Sequence, residues 1–432
     1  MKTDNDNFLD ALPDGWRFDR FKDVAMLRGE KTDEASAEED YLELEDLESG
    51  TGRILSRRNT LDVESAVTLF KQGDVLFGKL RPYLEKFYFA EFNGKCTGEI
   101  LAFKPERIRG RFLFYCLASR WFIERCNALA YGAKMPRVSW PTQLSKFNLP
   151  LPPPAEQQRI AAYLDASCAA IDAAVAAKRR QIEILDALRK SVITRALTLG
   201  LKPDVRTRPS GQDWLGAIPQ HWSLLCLKRL LREPLTYGLN EAAELEDRDL
   251  PRYLRITDFD DDGTLRDDTF RSLPLEVARE AMLQPNDVLF ARSGATVGKT
   301  FMFRDYSGEA CFAGYLICAR TLPWKLDSQF LYHFTKTLAY DAWKNLIFTQ
   351  ATIQNISAAK YNYLTIPVPP LPEQQAIVTY VQKNDGEFRR LAAQIERQIE
   401  TLLAYSKSLI HECVTGQRRV TETDLKQIPV HA

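Results

Sequence analysis

The chain has 432 residues, of which 45% are hydrophobic and 27% are charged, so it has the composition of a soluble protein and exceeds the length that one core usually supports. Its 58 basic and 58 acidic residues balance, which argues against a protein coated with nucleic acid over its whole surface but is compatible with local basic patches. No apolar run reaches the length of a membrane span and the polar N-terminus, MKTDNDNFLD, shows no secretory signal, so we expect a cytoplasmic protein.

The cysteines and histidines form no recognisable metal-binding pattern. Eight cysteines are scattered without a C-x-x-C pair, and the four histidines are His221, His333, His411 and His431. Neither a disulfide framework nor a zinc site is supported, and we predict no metal and no cofactor.

The chain repeats one sequence plan. NLPLPPPAEQQRIAAYL, which begins at Asn148, is echoed by TIPVPPLPEQQAIVTYV, which begins at Thr365. Other pairs follow in the same order, including LPDGW and IPQHW near the start of each copy and KQGDVLF and QPNDVLF in the middle. This order predicts an internal duplication. Four aromatic residues recur beside strand-like segments, and we predict that they belong to the core: Trp16, Tyr41, Trp222 and Tyr253.

The first part of each copy mixes strand-like and helix-like segments. The short β-like runs are DVLF, KFYFAEF, TFMF and GYLICA, and the apolar helical stretches are RFLFYCLASRWFIERC and QFLYHFTKTLAYDAW. We therefore predict an α/β or α+β domain at residues 1–150 and a similar one at 201–365.

A long helix is predicted after each proline-rich lead, within residues 151–200 and 366–420, with a tail at 421–432. Proline suits the first turn of a helix, and Glu156 and Glu373 place a carboxylate near the N-terminus, where it is favourable. Apolar residues recur at steps of three and four in both segments: Ile160, Leu164, Ile171, Val175, Ile182, Leu185, Leu188, Val192 and Ala196, and then Ile377, Val381, Phe388, Leu391, Ile395, Ile399, Leu402, Tyr405, Leu409 and Cys413. The pattern predicts a coiled coil, most economically of the two helices with each other. The alternative is two helices buried separately in their own domains.

Residues 292–300, RSGATVGKT, look like a phosphate-binding loop. The ATP-binding pattern requires four residues between its two glycines, whereas Gly294 and Gly298 enclose three. The sequel FMFRDY alternates like a strand and does not open the helix that would complete an anion site. The loop therefore suits a polyanion other than ATP.

Duplicated domains, each followed by a P-[LIV]-P-P-x-x-E-Q-x-x-I lead into a heptad helix, together with the DVLF strands and the VGK loop, resemble the specificity subunits of type I restriction-modification systems. The resemblance covers nearly the whole chain. It implies a non-catalytic DNA-reading subunit with two target recognition domains, each of which reads one half of a split site. The two helices would form an antiparallel spacer that docks two adenine methyltransferase subunits, and two translocating nuclease subunits would complete the restriction complex.

A glycine-flanked loop with Arg and Lys can approach a DNA backbone, and Arg, Gln, Asn, Ser and Thr can read base edges. In the second copy RSGATVGKT supplies these residues, whereas the first has GKLRPYLEK, so the two domains are expected to read different half-sites. The parallel stretches AYGAKMPRVSW (130–140) and FTQATIQNISAAK (348–360) add further polar groups. The predicted DNA-binding residues are Lys79, Arg81, Tyr83, Lys86, Lys134, Arg137 and Ser139 in the first domain, and Arg292, Ser293, Thr296, Lys299, Gln350, Thr352, Gln354 and Asn355 in the second.

Two other functions are considered. An amino-methyltransferase in its own right would carry an F-x-G-x-G turn and a [DNS]-P-P-[YFW] tetrad, and neither occurs. A nuclease of the PD…ExK type is disfavoured because no E-x-K tripeptide exists, so no catalytic residue is predicted. A coiled-coil scaffold without DNA contact shares the helices, and the basic glycine loops argue against it.

Overall fold

The computed structural model describes residues 12–35, 37–38, 40–61, 63, 65–242, 244–260, 263–294, 296–349 and 355–426. The chain divides into two compact units. Unit 1 comprises residues 1–179 and 396–432, and unit 2 comprises residues 180–395. Each unit combines the globular part of one sequence repeat with one half of each long helix.

Unit 1 contains ten strands among the residues described. They are β1 (Arg17–Arg20), β2 (Ala25–Leu27), β3 (Lys31–Thr32), β4 (Tyr41–Leu42), β5 (Val67–Phe70), β6 (Val75–Gly78), β7 (Phe87–Phe89), β8 (Gly94–Cys96), β9 (Ile100–Pro105) and β10 (Asn148–Leu151). Its helices are α1 (Phe21–Val24), α2 (Gly110–Ala118) and α3 (Arg120–Leu129), followed by the first half of α4 (Pro154–Leu199).

Unit 2 repeats this order with additions. Its strands are β11 (Thr207–Pro209), β12 (Ala217–Pro219), β13 (Ser223–Cys226), β14 (Thr236–Tyr237), β15 (Arg252–Leu254), β16 (Val288–Ala291), β17 (Thr300–Met302), β18 (Ala310–Phe312), β19 (Leu316–Ala319) and β20 (Thr365–Val368). Its helices are α5 (Leu275–Ala278), α6 (Ser328–Phe334), α7 (Leu338–Thr349) and α8 (Ala358–Asn362), followed by α9 (Leu371–Thr415). The second half of α9 and α10 (Glu422–Lys426) belong to unit 1.

The sheets of the two units share one plan. The antiparallel sheet β2-β9-β6-β7 in unit 1 corresponds to β14-β19-β16-β17 in unit 2. The antiparallel pairs β1–β10 and β13–β20 correspond in the same way, as do the parallel pairs β4–β8 and β15–β18. Equivalent residues also pair, since Phe77 faces Leu101 and Phe290 faces Ile317. The predicted duplication and the predicted mixture of strands and helices are confirmed.

Each unit has an aromatic-rich core between its sheet and its helices. In unit 1 the core joins Phe103 of β9 and Trp121 of α3 to Leu409 of α9. In unit 2 it joins Phe290 of β16 and Tyr340 of α7 to Ile377 of α9. The four recurring aromatics are all buried, so their prediction as core residues is confirmed: Trp16, Tyr41, Trp222 and Tyr253.

The two helical stretches predicted in the globular parts are each broken into two helices. In unit 1 the break is Ser119, whose backbone is extended and whose hydroxyl accepts a hydrogen bond from Phe122 N. In unit 2 the hydroxyls of Thr335 and Thr337 donate to Tyr332 O and Phe334 O. Serine and threonine side chains compete with the backbone for helical hydrogen bonds, so short polar residues end helices that the apolar pattern alone would continue.

The long helices α4 and α9 contain 46 and 45 residues and run antiparallel within each unit. In unit 1, Cys168 Sγ lies 3.7 Å from Ser406 Oγ, while Glu156 at the start of α4 pairs with Arg419 beyond the end of α9. In unit 2, Arg189 Nε donates to Asp385 Oδ1 at 2.5 Å. Gly200, after the end of α4, lies against Glu373 at the start of α9, because a Cβ built on it would stand 3.3 Å from Glu373 Oε1.

The predicted apolar seam varies in burial along the helices. The seam residues beside the globular parts are buried: Ile160, Leu164, Ile171, Val175, Ala196, Ile377, Val381, Leu409 and Cys413. Those farther along are half-buried: Ile182, Leu185, Val192, Phe388, Ile395, Ile399 and Leu402. The sequence overstated the seam at Leu188, Leu391 and Tyr405, which are 50%, 41% and 50% exposed. A stripe shared by only two helices cannot cover a residue at its margin.

One described helix, α4, is long and apolar enough to cross a membrane by length and composition, with an 18-residue window of mean hydropathy 1.5. In unit 1, however, its residues Ile160 and Leu164 belong to the core. Asp165 accepts hydrogen bonds from Arg111 and Tyr115 on α2. Part of this helix is therefore packed against unit 1, and 33% of the apolar window is buried.

Candidate nucleic-acid interface

In unit 1 the two sequence stretches predicted to bind DNA lie side by side. The loop after β6 meets the 130–140 stretch through a β-bridge between Leu80 and Arg137. Arg81 N donates to Pro136 O at 2.7 Å, and Val138 N donates to Lys79 O at 3.0 Å. Residues separated by more than 50 positions thus form one two-walled loop cluster at the end of β6.

The side chains of this cluster divide into held and exposed groups. Arg137 is held by Glu99, which accepts from Nε at 3.1 Å and from Nη2 at 3.4 Å. Arg81 Nη2 reaches Lys134 O at 3.4 Å, and Arg81 Nε is shielded from solvent without a hydrogen-bond partner among the residues described. Tyr83 and the side chain of Lys134 are exposed. The left-handed backbone of Arg81, with φ of 50°, turns the chain sharply at this point.

Two predicted residues of unit 1 have structural partners. The ammonium of Lys86 donates to Leu47 O, so it is tied to the neighbouring loop. Ser139 N donates to Gln143 Oε1 at 2.7 Å and Ser139 O accepts from Leu144 N, so its backbone forms a turn. Both remain near the cluster, but the Lys86 ammonium and the Ser139 backbone are bonded within the protein.

Unit 2 brings its two stretches together in the equivalent way. A β-bridge joins Ser293 to Asn355, and Ile356 N donates to Arg292 O at 2.9 Å. The bridge follows β16 as the bridge of unit 1 follows β6. Gln350, Thr352 and Gln354 lie outside the residues that the structure describes.

Aromatic side chains surround the loop of unit 2. The Arg292 guanidinium carbon lies 4.8 Å from the ring centre of Tyr237, whose hydroxyl accepts from Ala358 N at 2.9 Å. Arg292 N donates to the carbonyl of Tyr315, whose side chain is 66% exposed. Arg292 Nε and Asn355 Oδ1 are shielded and make no hydrogen bond within the described part of the chain. Unpaired polar groups inside a protein are costly, so these two atoms are polar groups of the cluster whose hydrogen-bonding capacity is not used by the described residues.

Three amides of the described part of the glycine loop bond within the loop or to the end of β16. Gly294 and Gly298 both have φ of 79°, a left-handed conformation that suits glycine. Val297 N donates to Gly294 O, Gly298 N to Ala291 O, and Lys299 N to Thr296 O. An ATP-binding loop needs such amides to point at phosphates. These three amides are therefore occupied by carbonyls of the protein.

Further cations lie behind this loop in unit 2. Lys336 Nζ donates to Thr300 O at 2.7 Å. The Lys344 side chain packs against Gly298, because a Cβ built on that glycine would meet Lys344 Cδ. Burial first, and then the positive charges of Lys344 and Lys299, lower the pKa of Lys336 to about 8. Lys344 is paired with Asp341, whose Oδ1 lies 2.7 Å from Lys344 Nζ. No motif in the sequence marks Lys336 or Lys344.

Equivalent positions of the two clusters carry different side chains. The amide that follows β6 belongs to Lys79 and donates to Glu99 O, whereas the amide that follows β16 belongs to Arg292 and donates to Tyr315 O. Glu99, Tyr237 and Tyr315 were missed by the sequence analysis, because each comes from a strand end far from the glycine loops. Among the described residues, no group of three or more His, Cys, Asp or Glu side chains is placed to hold a metal ion.

The chain is similar to known proteins along most of its length. A sequence profile described as "Type I restriction modification DNA specificity domain" matches residues 13–183 and 264–401. The EcoDI specificity subunit of Escherichia coli is 25% identical over 201 residues, which cover 45% of this chain and 44% of that protein. The StySPI specificity subunit of Salmonella potsdam is 25% identical over 325 residues, which cover 73% of this chain and 67% of that protein. The chain thus spans less than half of the EcoDI subunit and about two thirds of the StySPI subunit.

Two solved structures share the fold. One, from work on complex assembly and conformational transition of the type I R-M system, gives a TM-score of 0.72 at 19% identity and covers 94% of this chain and 99% of its own. The HsdS subunit from Thermoanaerobacter tengcongensis gives 0.52 at 19% identity, with 94% and 98% covered. At these identities the likeness is one of fold.

Proposed function

Because the chain belongs to the type I restriction-modification DNA specificity family, we propose that it is the subunit that selects the DNA sequence for such a complex. Unit 1 and unit 2 each contribute one target recognition domain, and each domain reads one half of a split site. The chain itself catalyses neither methyl transfer nor cleavage. Since it acts on DNA together with such a complex, we propose that it is located in the cytoplasm.

One observation carries this proposal. In both units two polar loops are joined by a β-bridge directly after equivalent strands, Leu80–Arg137 after β6 and Ser293–Asn355 after β16. The side chains that these loops carry differ between the units. The two domains thus share a backbone arrangement but differ in the side chains that it presents. Two domains that read different half-sites require this combination, since phosphate contacts position a protein and base contacts specify the sequence.

The two long helices are proposed to dock two methyltransferase subunits, and two restriction and translocase subunits join that complex. Apolar side chains remain exposed on these helices, which is typical of a protein interface: Ile184, Leu188, Leu391, Leu403 and Tyr405. Double-stranded DNA and these subunits are the partners that we propose, without a membrane.

The decisive experiment coexpresses the chain with its cognate methyltransferase subunit and maps methylated adenines across the host genome. A second version replaces residues 201–365 with the matching domain of a relative. We expect a bipartite methylated site, of which the replacement changes one half and leaves the other intact. A change in both halves, with correct assembly, would contradict independent readout.

Purified protein separates the alternatives. A DNA reader binds with a steep salt dependence, because phosphate contacts release counterions, whereas a scaffold without DNA contact does not bind. The isolated chain should show neither ATP turnover nor methyl transfer. ATP turnover that is abolished by Lys299→Ala, or methyl transfer by the chain alone, would overturn the non-catalytic assignment.

A further inference from the structure

Each loop cluster holds one guanidinium group in a fixed orientation, but from opposite walls. In unit 1 this group is Arg137 of the second stretch, which Glu99 engages through both carboxylate oxygens. In unit 2 it is Arg292 of the first stretch, which lies over the ring of Tyr237. Across the bridge of unit 1 Arg137 faces Leu80, whereas in unit 2 Arg292 precedes the bridged residue Ser293 and its carbonyl accepts from Ile356 N.

We propose that Arg137 and Arg292 each read a guanine in the half-site of their own domain, and that Glu99 and Tyr237 are the positioning residues that aim them. The inference rests on the proposed function, since it names the base that each half-site presents to the cluster. Arginine paired with O6 and N7 of guanine in the major groove is the commonest specific base contact.

The donors of Arg137 support this assignment. A guanidinium has five N–H donors. Glu99 occupies that of Nε and one on Nη2, and Met135 O lies 3.5 Å from Nη1. Among the described residues, one N–H on each terminal nitrogen is thus left without a partner. Two donors on the terminal nitrogens of one planar guanidinium can form the fork that pairs with O6 and N7 of guanine.

Arg292 is held by a different interaction with the same result. A guanidinium that stacks on an aromatic face is fixed in plane while its in-plane donors stay open. Gly314 O lies 3.5 Å from Nη1, and Nε is shielded without a partner. In the part of the chain that is described, Nη2 donates no hydrogen bond to the protein, so its donors are open to a ligand. Tyr237 is itself fixed by the hydrogen bond from Ala358 N. The ring therefore joins both walls of the cluster and orients the arginine between them.

The test uses the complex with the methyltransferase subunit and the mapping of methylated sites. Arg137→Lys and Arg292→Lys should each lower the preference for guanine at one position of one half-site by about 10-fold or more, because lysine lacks the fork. Glu99→Ala and Tyr237→Leu should relax the same two positions. Tyr237→Phe, which keeps the ring, should restore most of the preference, and Glu99→Gln should give an intermediate value because one acceptor remains.

The matched controls make the same kinds of substitution, glutamate to alanine and tyrosine to leucine, at positions away from the clusters. Glu106→Ala removes a carboxylate that pairs with Lys104. Glu106 directly follows β9, whereas Glu99 directly precedes it. Tyr363→Leu removes an exposed ring that lies 4.2 Å from Lys228 Nζ. Neither change should alter the preference at any position.

Three results would overturn the inference. The first is a wild-type half-site in which no guanine is required, or in which the requirement for guanine is unchanged by the arginine substitution. The second is a uniform loss of methylation in Glu99→Ala or Tyr237→Leu without relaxation at one position, which marks a purely structural role. The third is equal relaxation by the controls. A wild-type complex that methylates no bipartite site overturns the proposed function and this inference together, whereas a bipartite site that ignores these arginines overturns the inference alone.

Discussion

Gln157 and Gln374 make two equivalent hydrogen bonds in the two units. Gln157 Oε1 accepts from Arg109 N at 2.8 Å, and Gln374 Oε1 accepts from Asp327 N at 2.8 Å. Their Nε2 groups donate to Pro152 O and Pro369 O, each at 2.8 Å. Arg109 and Asp327 are the N-cap residues of α2 and α6. The first glutamine of each EQQ motif therefore fastens a long helix to the first helix of its recognition domain.

Replacing Gln374 with leucine should destabilise unit 2. The side chain is fully buried, and its loss leaves Asp327 N, Lys325 O and Pro369 O without their partner. We expect a loss of about 1–3 kcal/mol or more in the free energy of unfolding, measured by urea denaturation. Gln375→Leu changes the next, exposed residue and should cost less than about 0.5 kcal/mol. Equal losses in the two variants would show that Gln374 is not a fastening residue.

The helical seam should contribute unevenly to stability. Ile377 is fully buried in the core of unit 2, so Ile377→Ala should lower the free energy of unfolding by about 2–5 kcal/mol. Leu391 is 41% exposed on the same helix, and Leu391→Ala should cost about 1 kcal/mol or less in the isolated chain. Thermal and urea unfolding give the comparison. A larger loss at Leu391 would mean that the seam is centred on a different face of α9.

His333 should make unit 2 sensitive to acid. Burial, and then the positive charges of Arg304, Lys336 and Arg189, outweigh Asp385 and lower the pKa of His333 to about 4. The unfolded chain has an ordinary pKa near 6.5, so it binds the proton first as pH falls. The stabilisation by neutral His333 is therefore complete above pH 6.5 and is lost between about 6.5 and 4, by up to about 3 kcal/mol.

The measurement is the free energy of unfolding across this pH range for the wild type and His333→Leu. The wild type should lose more stability than the variant between pH 6.5 and 4. Parallel curves would refute the assignment, because carboxylates that titrate nearby are common to both proteins.

Salt titration of DNA binding should separate phosphate contacts from structural lysines. Lys299→Ala and Lys134→Ala each remove an exposed cation from a loop cluster, so each should lower affinity and reduce the slope against log salt by about 1. Lys86→Ala removes a cation that is tied to Leu47 O, and it should leave the slope unchanged while it lowers stability. A reduced slope in Lys86→Ala with an unchanged slope in Lys134→Ala would reverse the assignment.

The sequence pattern predicted those helices and strands whose positions depend on neighbouring residues. The PP-x-x-EQQ leads predicted where α4 and α9 begin, and the DVLF runs predicted β6 and β16. The clasped walls were predicted only as separate stretches, because the bridges Leu80–Arg137 and Ser293–Asn355 depend on tertiary packing. Glu99 and Tyr237 escaped notice for the same reason. A strand places its end residues beside a distant loop through its register, and neither residue carries a signal in its own neighbourhood.

The discontinuous make-up of unit 1 has a consequence for synthesis on the ribosome. Its core needs Leu409, Cys413, Val414 and Val420 from the end of the chain, and Gly416 packs against Trp16 and Pro13 from the beginning. Unit 2 is continuous and can complete its core as soon as residue 395 has emerged. Domains usually fold in the order of translation. Here the domain that is translated first must wait, with part of its apolar surface uncovered, until the second half of α9 and the segment up to Val420 have emerged.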